Sequence, residues 1–317
     1  MIAYIIRRVL LSIPLLLGIS ILVFGILQII PGGPLGHYMR VQGANPEDIA
    51  ILKKQLGLDQ PAPIQYINWL TRWLKGDWGK SYITREPVLD IIAFRLPNTM
   101  LLMGLSFTLA LIVGISAGIV AALKQYSILD NMLTIFSFIG FSVPVFWLGL
   151  IMILVFTVKL GWLPGGGMTT LGGPSSLSDR ILHLIMPVSA AALYNAGIYS
   201  RYLRSSLLEV INLDYIRTAR AKGLRERIVF SRHALRNALI PLVTIVAIDL
   251  PWMFGGAVLT ETIFSWPGMG RQFWKASLDQ DYPVILSMVM LVAVAVVVFN
   301  LLADVLYAYL DPRIRYE

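Results

Sequence analysis

The sequence predicts an all-α integral membrane protein with six transmembrane helices and a long external loop after the first span. Two observations carry that prediction. Of 317 residues, 57% are hydrophobic and only 14% charged, with a mean hydropathy of +0.72, whereas charged residues make up about a quarter of an ordinary soluble domain. Six runs, 9–30, 98–123, 132–158, 181–200, 238–260 and 284–310, also meet the roughly 20 apolar residues that a helix needs to cross a bilayer. The first three contain no Asp, Glu, Lys or Arg, and the last two hold one carboxylate each, Asp249 and Asp304. The six runs divide the chain into an N-terminal anchor helix at 1–30, an external helical segment at 31–97, a core at 98–310 with a polar cytoplasmic loop at 201–237, and a tail at 311–317.

Basic side chains resist translocation, so Lys and Arg in short loops fix orientation. With the N-terminus inside, the segments 1–8, 124–131, 201–237 and 311–317 hold 14 Lys and Arg in 60 residues, against 4 in the 45 residues of the loops 159–180 and 261–283. The eight in 31–97 do not alter this, because long loops cross largely regardless of charge. Both termini are therefore predicted on the cytoplasmic side. The formal charge of +8 reads as this topological bias and not as a nucleic-acid surface. The opening MIAYIIRRVLLSIPLLLGIS has the charged start of a secretory signal, but its apolar run is too long and leads into PGGP without a small-residue cleavage site, so it reads as a retained anchor.

Within 31–97, Asn45 before Pro46, Glu47 and Asp48 marks a helix start, with Gly57 at its end and Leu52 and Leu56 on the face of Ile49. After Pro61 and Pro63, Ile64, Ile67, Leu70 and Leu74 form a helical stripe beside Tyr66, Trp69 and Trp73. Such a helix either lies on the outer membrane surface or belongs to a small packed cap, and the pattern leaves both open. Pro144 and Pro187 are predicted to kink their helices.

Catalysis has no visible apparatus. With no cysteine, disulfides, thiolate metal sites and cysteine nucleophiles are excluded, and His37, His183 and His233 fall in three different segments. The GKS at Gly79–Ser81 lacks the first glycine of a phosphate-binding loop, since Leu74 stands in its place. The chain is expected to be no enzyme and to hold no cofactor or metal.

The stretch from Asp214 to Asn237, DYIRTARAKGLRERIVFSRHALRN, is the conspicuous polar feature. Asn212 or Asp214 can cap a short helix, and Gly223 can end it in the left-handed conformation. Beyond that corner Leu224, Ile228, Leu235 and Leu239 form an apolar stripe, with Arg225, Arg232 and Arg236 on another face. From chemistry alone this segment is either a membrane-surface helix or a handle for another protein.

The stretch resembles the coupling motif of binding-protein-dependent ABC importers, Glu-Ala-Ala, three residues, then Gly. Gly223 and Ala219 match it, while Arg217, Thr218 and Arg236 stand where that pattern has Glu, Ala and a later Pro. RTARAKG followed by RHALRNALIP, together with IIRRVLLSIPLLLGIS, LGLDQP, GDWGKSY, RLPNT, GWLPGG, TETIFSWPGMGR and DPRIRY, is similar to the oligopeptide, dipeptide and nickel group of permeases. The long first loop and the ending resemble the first, B-type, of its two permease subunits. The resemblance implies a type I ABC importer permease fold in a prokaryotic cytoplasmic (inner) membrane. It also implies a complex with a second, homologous permease, two cytosolic ATPases and an external substrate-binding protein, with membrane lipid but no nucleic acid as further partners. Tyr215, Arg217, Ala219, Arg220, Lys222, Gly223 and Leu224 are then expected in or beside the helix that docks on one ATPase.

Asp249 is the sharpest residue within a span, since a mid-membrane carboxylate faces a cavity or a partner; it stands near Pro251, Gly255 and Gly256. It reads either as a lining residue of the transport route, with Asn195 a second candidate, or as a structural carboxylate bonded to a neighbouring helix. Peptide, nickel and glutathione cargo are not separable here. An ion-driven secondary transporter, the competing class, would show internal repeats around an ionisable site, and no clear repeat is present.

Overall fold

In lipid every backbone N–H and C=O must be satisfied within the chain, and a helix does this segment by segment. A computed structural model describes residues 2–30, 33, 36, 50–51, 53–54, 57–173, 176–255 and 257–310. The helices are α1 (Ile2–Ile29), α2 (Ala62–Leu74), α3 (Val88–Leu123), α4 (Ile128–Ser142), α5 (Val145–Met152), α6 (Leu177–Ile211), α7 (Asp214–Ala221), α8 (Glu226–Ile228), α9 (Arg236–Asp249), α10 (Trp252–Gly255), α11 (Val258–Ile263), α12 (Met269–Asp279) and α13 (Tyr282–Leu310), with π-helical turns at Ile153–Lys159 and Val229–Leu235. The helix predicted from Asn45 falls on residues outside those described, as do the 311–317 tail and the side chain of Asp304.

Four helices, α1, α3, α6 and α13, are long and apolar enough to span, and a fifth span results if the bent pair Ile128–Ser142 and Val145–Lys159 is counted as one. The protein is thus an all-helical membrane protein with four to five candidate spans. The predicted run 132–158 is not straight: its two halves meet at 103°. Pro144 has no N–H to donate and pushes Val143 into an extended conformation, φ −81° and ψ 123°. Pro187, by contrast, sits inside the continuous α6. The predicted run 238–260 is also interrupted. Its α9 ends at Asp249, just before Pro251, and the 14 residues of α9 reach only about 21 Å at 1.5 Å each.

The chain divides into two compact units, Met1–Asn98 with Gly268–Glu317, and Thr99–Pro267. In the first, Leu27, Val88, Ile91, Ile92, Val284 and Leu286 form the core, and the Tyr282 hydroxyl donates to the Leu27 carbonyl of α1. The GKS stretch has a structural task here. Ser81 Oγ donates to Asp281 Oδ2 at 2.5 Å and the Tyr82 backbone N–H to Oδ1 at 2.9 Å, stapling the 77–82 segment to the turn before α13. Burial raises the Asp281 carboxyl pKa against the pull of those hydrogen bonds and, with Asp281 beside it, pushes the Tyr82 phenol up to about 12.

In the second unit α6 is the hub, and glycine sets its contacts. A Cβ on Gly118 of α3 would stand 2.8 Å from the Ser200 carbonyl, and one on Gly114 would stand 2.8 Å from Tyr199 Cβ. On another side, a Cβ on Gly140 of α4 would meet the Leu193 carbonyl at 2.8 Å, and one on Gly197 of α6 would meet the Ser137 carbonyl at 2.6 Å. Small residues let helix backbones touch, which is how helices associate where lipid removes the hydrophobic drive between them. Gly166 packs likewise on the Phe264 carbonyl, where its Cβ would stand at 2.7 Å, and the Gly167 N–H donates to that carbonyl at 2.8 Å.

Two alanine substitutions should therefore act in opposite directions. Gly197→Ala forces α4 off α6 and is expected to cost about 1–3 kcal/mol, as overpacking does. Gly25→Ala in α1, where a Cβ meets nothing within 4 Å, is expected to be neutral or to stabilise by up to about 1 kcal/mol through helix propensity. Thermal unfolding of the two purified proteins in detergent checks the pair.

Candidate coupling helix and buried carboxylates

Between α6 and α9 the chain makes one short helix and one sharp corner. Helix α7 (Asp214–Ala221) ends in a Schellman arrangement: Gly223 has φ +76°, its N–H donates to the Arg220 carbonyl at 2.9 Å, and the Leu224 N–H donates to the Ala219 carbonyl at 3.4 Å. Nothing lies within 4 Å of a Cβ at Gly223, so its backbone angle and not crowding demands glycine.

One side of α7 is pinned. Ile216 is fully buried and Ala219 nearly so, in a cluster with Tyr199, Leu203 and Leu207 of α6 and with Val229 and Ala234. Tyr215, Arg217, Arg220, Lys222, Gly223 and Leu224 are all exposed. Of the seven predicted coupling residues, then, six are exposed, while Ala219 belongs to the helix's own anchor. Arg220 donates through Nε to Glu226 Oε1 at 2.9 Å, bracing the corner, and Asn237 Nδ2 donates to the Tyr215 hydroxyl at 3.0 Å. The Arg217–Asp214 pair, at 3.6 Å and largely in solvent, contributes little. A cleft of about 300 Å³ lies between α7 and the π-helical turn, lined by Leu123, Ile216 and Phe230 with Arg220 and Glu226 also on its wall.

The predicted stripe Leu224, Ile228, Leu235 and Leu239 is not the buried face. The π-helical turn Val229–Leu235 takes in one extra residue, and the residues that reach the core are Val229, Ala234, Ala238 and Leu242, at spacings of five, four and four. Leu235 and Leu239 pack only at its margin, and Leu224 and Ile228 are exposed.

The intramembrane candidates lie on α6 (Asn195) and α9 (Asp249). The Tyr199 hydroxyl, on a fully buried side chain, donates to Asp249 Oδ2 at 2.8 Å. Asn195 lies one turn before Tyr199 and so on the same helix face; it is half-buried and no side-chain hydrogen bond engages it among the described residues. Asp249 thus has one oxygen held by Tyr199, and its other oxygen can accept a further donor. Sequence reasoning missed Tyr199, one aromatic residue among many in the apolar runs.

Two further carboxylates were also missed. Asp130, 3% exposed, takes Arg204 Nε at 2.7 Å and Nη2 at 2.8 Å, and it closes the start of α4 by accepting the Tyr126 N–H while its own N–H donates to Ser127 Oγ. Glu261, fully buried, accepts from Thr99 Oγ1 at 2.8 Å. The first has a signal in the sequence, because 124–131 and 201–237 are predicted on one membrane side.

Replacing Gly223 by Ala places a Cβ-bearing residue at φ +76° and is expected to cost about 1–2 kcal/mol, localised to this corner. Amide exchange across 214–224 should quicken about ten-fold while exchange in α6 is unchanged.

Comparison with known proteins agrees in extent and in kind. Residues 114–316 match the family described as binding-protein-dependent transport system inner membrane component, and residues 1–103 match its N-terminal companion. Over 317 residues the chain is 47% identical to the oligopeptide transport system permease protein AppB of Bacillus subtilis, covering all of both chains. It is 41% identical over 334 residues to the dipeptide transport system permease protein DppB of Alkalihalophilus pseudofirmus, again covering all of both. Its fold is similar to that of a chain in the inward-facing MetNI methionine ABC transporter, with TM-score 0.57 and 18% identity over 71% of this chain and 99% of that one. A chain of an amino acid ABC transporter gives TM-score 0.53 and 12% identity over 70% of this chain and 94% of that one. With α7 presented on a glycine corner, full-length relatives among peptide permeases and this shared fold, the chain belongs to the binding-protein-dependent transport system inner membrane components, as a permease and not as an ATPase.

Proposed function

We propose that this chain is the B-type permease of an importer for short peptides. In this reading it crosses a prokaryotic cytoplasmic membrane six times, with the broken run 238–260 as the fifth crossing and both termini in the cytoplasm. A second, homologous permease completes the pore, two cytosolic ATPases supply the energy and an external binding protein delivers cargo. The single observation that carries the coupling role is the two-sided α7: Ile216 and Ala219 anchored in the core, and Tyr215, Arg217, Arg220 and Lys222 left exposed. A helix seated in a groove of an ATPase transmits force only if its other face is fixed to the part that must move. Nucleotide binding then closes the ATPase pair, draws the two docked helices together and favours the outward-open pore. That is a population shift, and it works because the closed ATPases fit one permease state better than the other.

Peptide cargo rests on the full-length relatives named for oligopeptide and dipeptide transport. Asp249, with Asn195 on the neighbouring helix, is assigned to the route, where a carboxylate suits the amino group of a passing peptide.

Cysteine placed at Lys222 should crosslink to an ATPase subunit in the assembled transporter, and the yield should change when a non-hydrolysable nucleotide is added. Absence of any crosslink from positions 215–224 removes the docking assignment. Separately, Asp249→Asn is expected to lower peptide uptake about ten-fold with normal assembly, which corresponds to about 1.4 kcal/mol on the rate-limiting barrier. Unchanged uptake by that variant takes Asp249 out of the route.

A further inference from the structure

A cleft of about 410 Å³ in the first unit has no part in coupling or in the route proposed above. Its floor is aromatic and its rim basic. Phe24 of α1, Trp69 of α2, Trp78 and Tyr82 line it, together with four cationic residues, Lys54, Arg72, Lys80 and Arg85, against one carboxylate, Asp77. Asp77 Oδ1 accepts the Gly79 N–H, and among the described residues Lys54, Arg72 and Lys80 have no carboxylate within ion-pair distance. The amides are satisfied internally: Gln28 donates to Gln65 at 3.1 Å and Asn68 to Gln60 at 3.0 Å. The indole N–H of Trp69 is buried without an acceptor. The unmet demand at this place is for an anion.

The position of α2 says which kind of anion. Tyr66 hydrogen-bonds Ser20 of α1 at 2.8 Å and stacks edge-on against Phe24 at 5.5 Å. Ser20 lies nine residues before the end of a span, so α2 is held against the last third of a membrane helix and not above it. Its stripe faces outward unpartnered, Ile64 46%, Ile67 60% and Leu74 71% exposed. An amphipathic helix at that depth lays its apolar side among acyl chains, and its polar side then sits at headgroup level. Arg72 and Trp69 are on that polar side.

We propose that the cleft binds the phosphate of an anionic phospholipid headgroup, with Arg72, Lys80 and Lys54 as its cationic contacts and the lipid tails along Ile64, Ile67 and Leu74. The lipid fixes α2 to α1 and so supports the stapled 77–82 segment. The site requires only that α1 cross a membrane; it does not depend on the cargo or on ATPase docking.

The test uses the full-length transporter, purified in detergent and exchanged with either phosphatidylglycerol or phosphatidylcholine, with retained lipid counted by native mass spectrometry. The wild-type protein is expected to keep phosphatidylglycerol and release phosphatidylcholine. In Arg72→Gln/Lys80→Gln the retention should fall about ten-fold or more, the scale for two basic residues at a headgroup surface, while Lys124→Gln/Arg227→Gln retains it fully. Both altered side chains are exposed, so folding is preserved, and a thermal unfolding curve in detergent verifies this; Lys80→Gln alone gives a smaller loss in the same direction. Equal retention of the two lipids, or undiminished retention by the double variant, overturns the site. Protection by millimolar inorganic phosphate equal to that by phosphatidylglycerol would show a free-anion site and overturn the lipid assignment. Normal peptide uptake with failed lipid retention separates this outcome from failure of the proposed function.

Discussion

The backbone-to-backbone approach of α3 and α4 to α6 is the constraint on which the second unit rests. Gly114, Gly118, Gly140 and Gly197 each bring a Cα to within a carbonyl's reach of a neighbouring helix. Burial of apolar side chains does not hold helices together when lipid offers the same environment outside. Close dispersion contact and a few well-placed polar bonds do so, and both require that the backbones be near. The polar bonds of this unit, Arg204 to Asp130, Tyr199 to Asp249 and Thr99 to Glu261, all span elements packed on or beside this hub. A looser crossing would stretch or break those bonds, at a cost that is large for a marginally stable protein.

The sequence reading was strongest where a single physical signal decided the outcome. Four apolar runs with no internal break form helices long and apolar enough to span, and Gly223 takes the left-handed angle that its place after a short polar helix predicts. It was weakest where the answer depended on which backbone hydrogen bonds are skipped. Pro144 predicts a kink, yet nothing in the composition of 132–158 announces a bend of 103°. The π-helical turn at Val229–Leu235 is silent in the same way: one wider turn moved the buried face from Leu235 and Leu239 to Ala234 and Ala238, and periodicity counted at 3.6 residues cannot register it.

Polar partners were legible by half. Asp249 stands out because a charge inside an apolar run is rare, but Tyr199 is one of many aromatic residues in such runs and carries no mark of its role until the helices are placed. Ser81 and Asp281 lie 200 residues apart, beyond any local pattern. The GKS that resembles a nucleotide loop is instead a staple, with Ser81 donating to a carboxylate whose burial favours keeping its proton.

The anchored side of α7 shares one packed cluster with Tyr199, the residue that holds Asp249. Ile216 and Ala219 touch the cluster that includes Leu207, Leu203 and Tyr199 along α6 and Val229, Ala234 and Ala238 leading into α9. Close-packed interiors have little room to compress, so a displacement of α7 cannot be absorbed between Ile216 and Tyr199 and must move α6 or α9. Those two helices carry the Tyr199–Asp249 bond, one partner on each. Relative movement of α6 and α9 therefore stretches or remakes that bond, whereas movement of both together leaves it intact. Arg204, near the end of α6, is held to Asp130 at the start of α4 by two charge-assisted hydrogen bonds, which tie α6 to α4. The interruption at Leu250–Pro251, directly after Asp249, places the break in that same helix, where Pro251 has no N–H to offer the preceding turn.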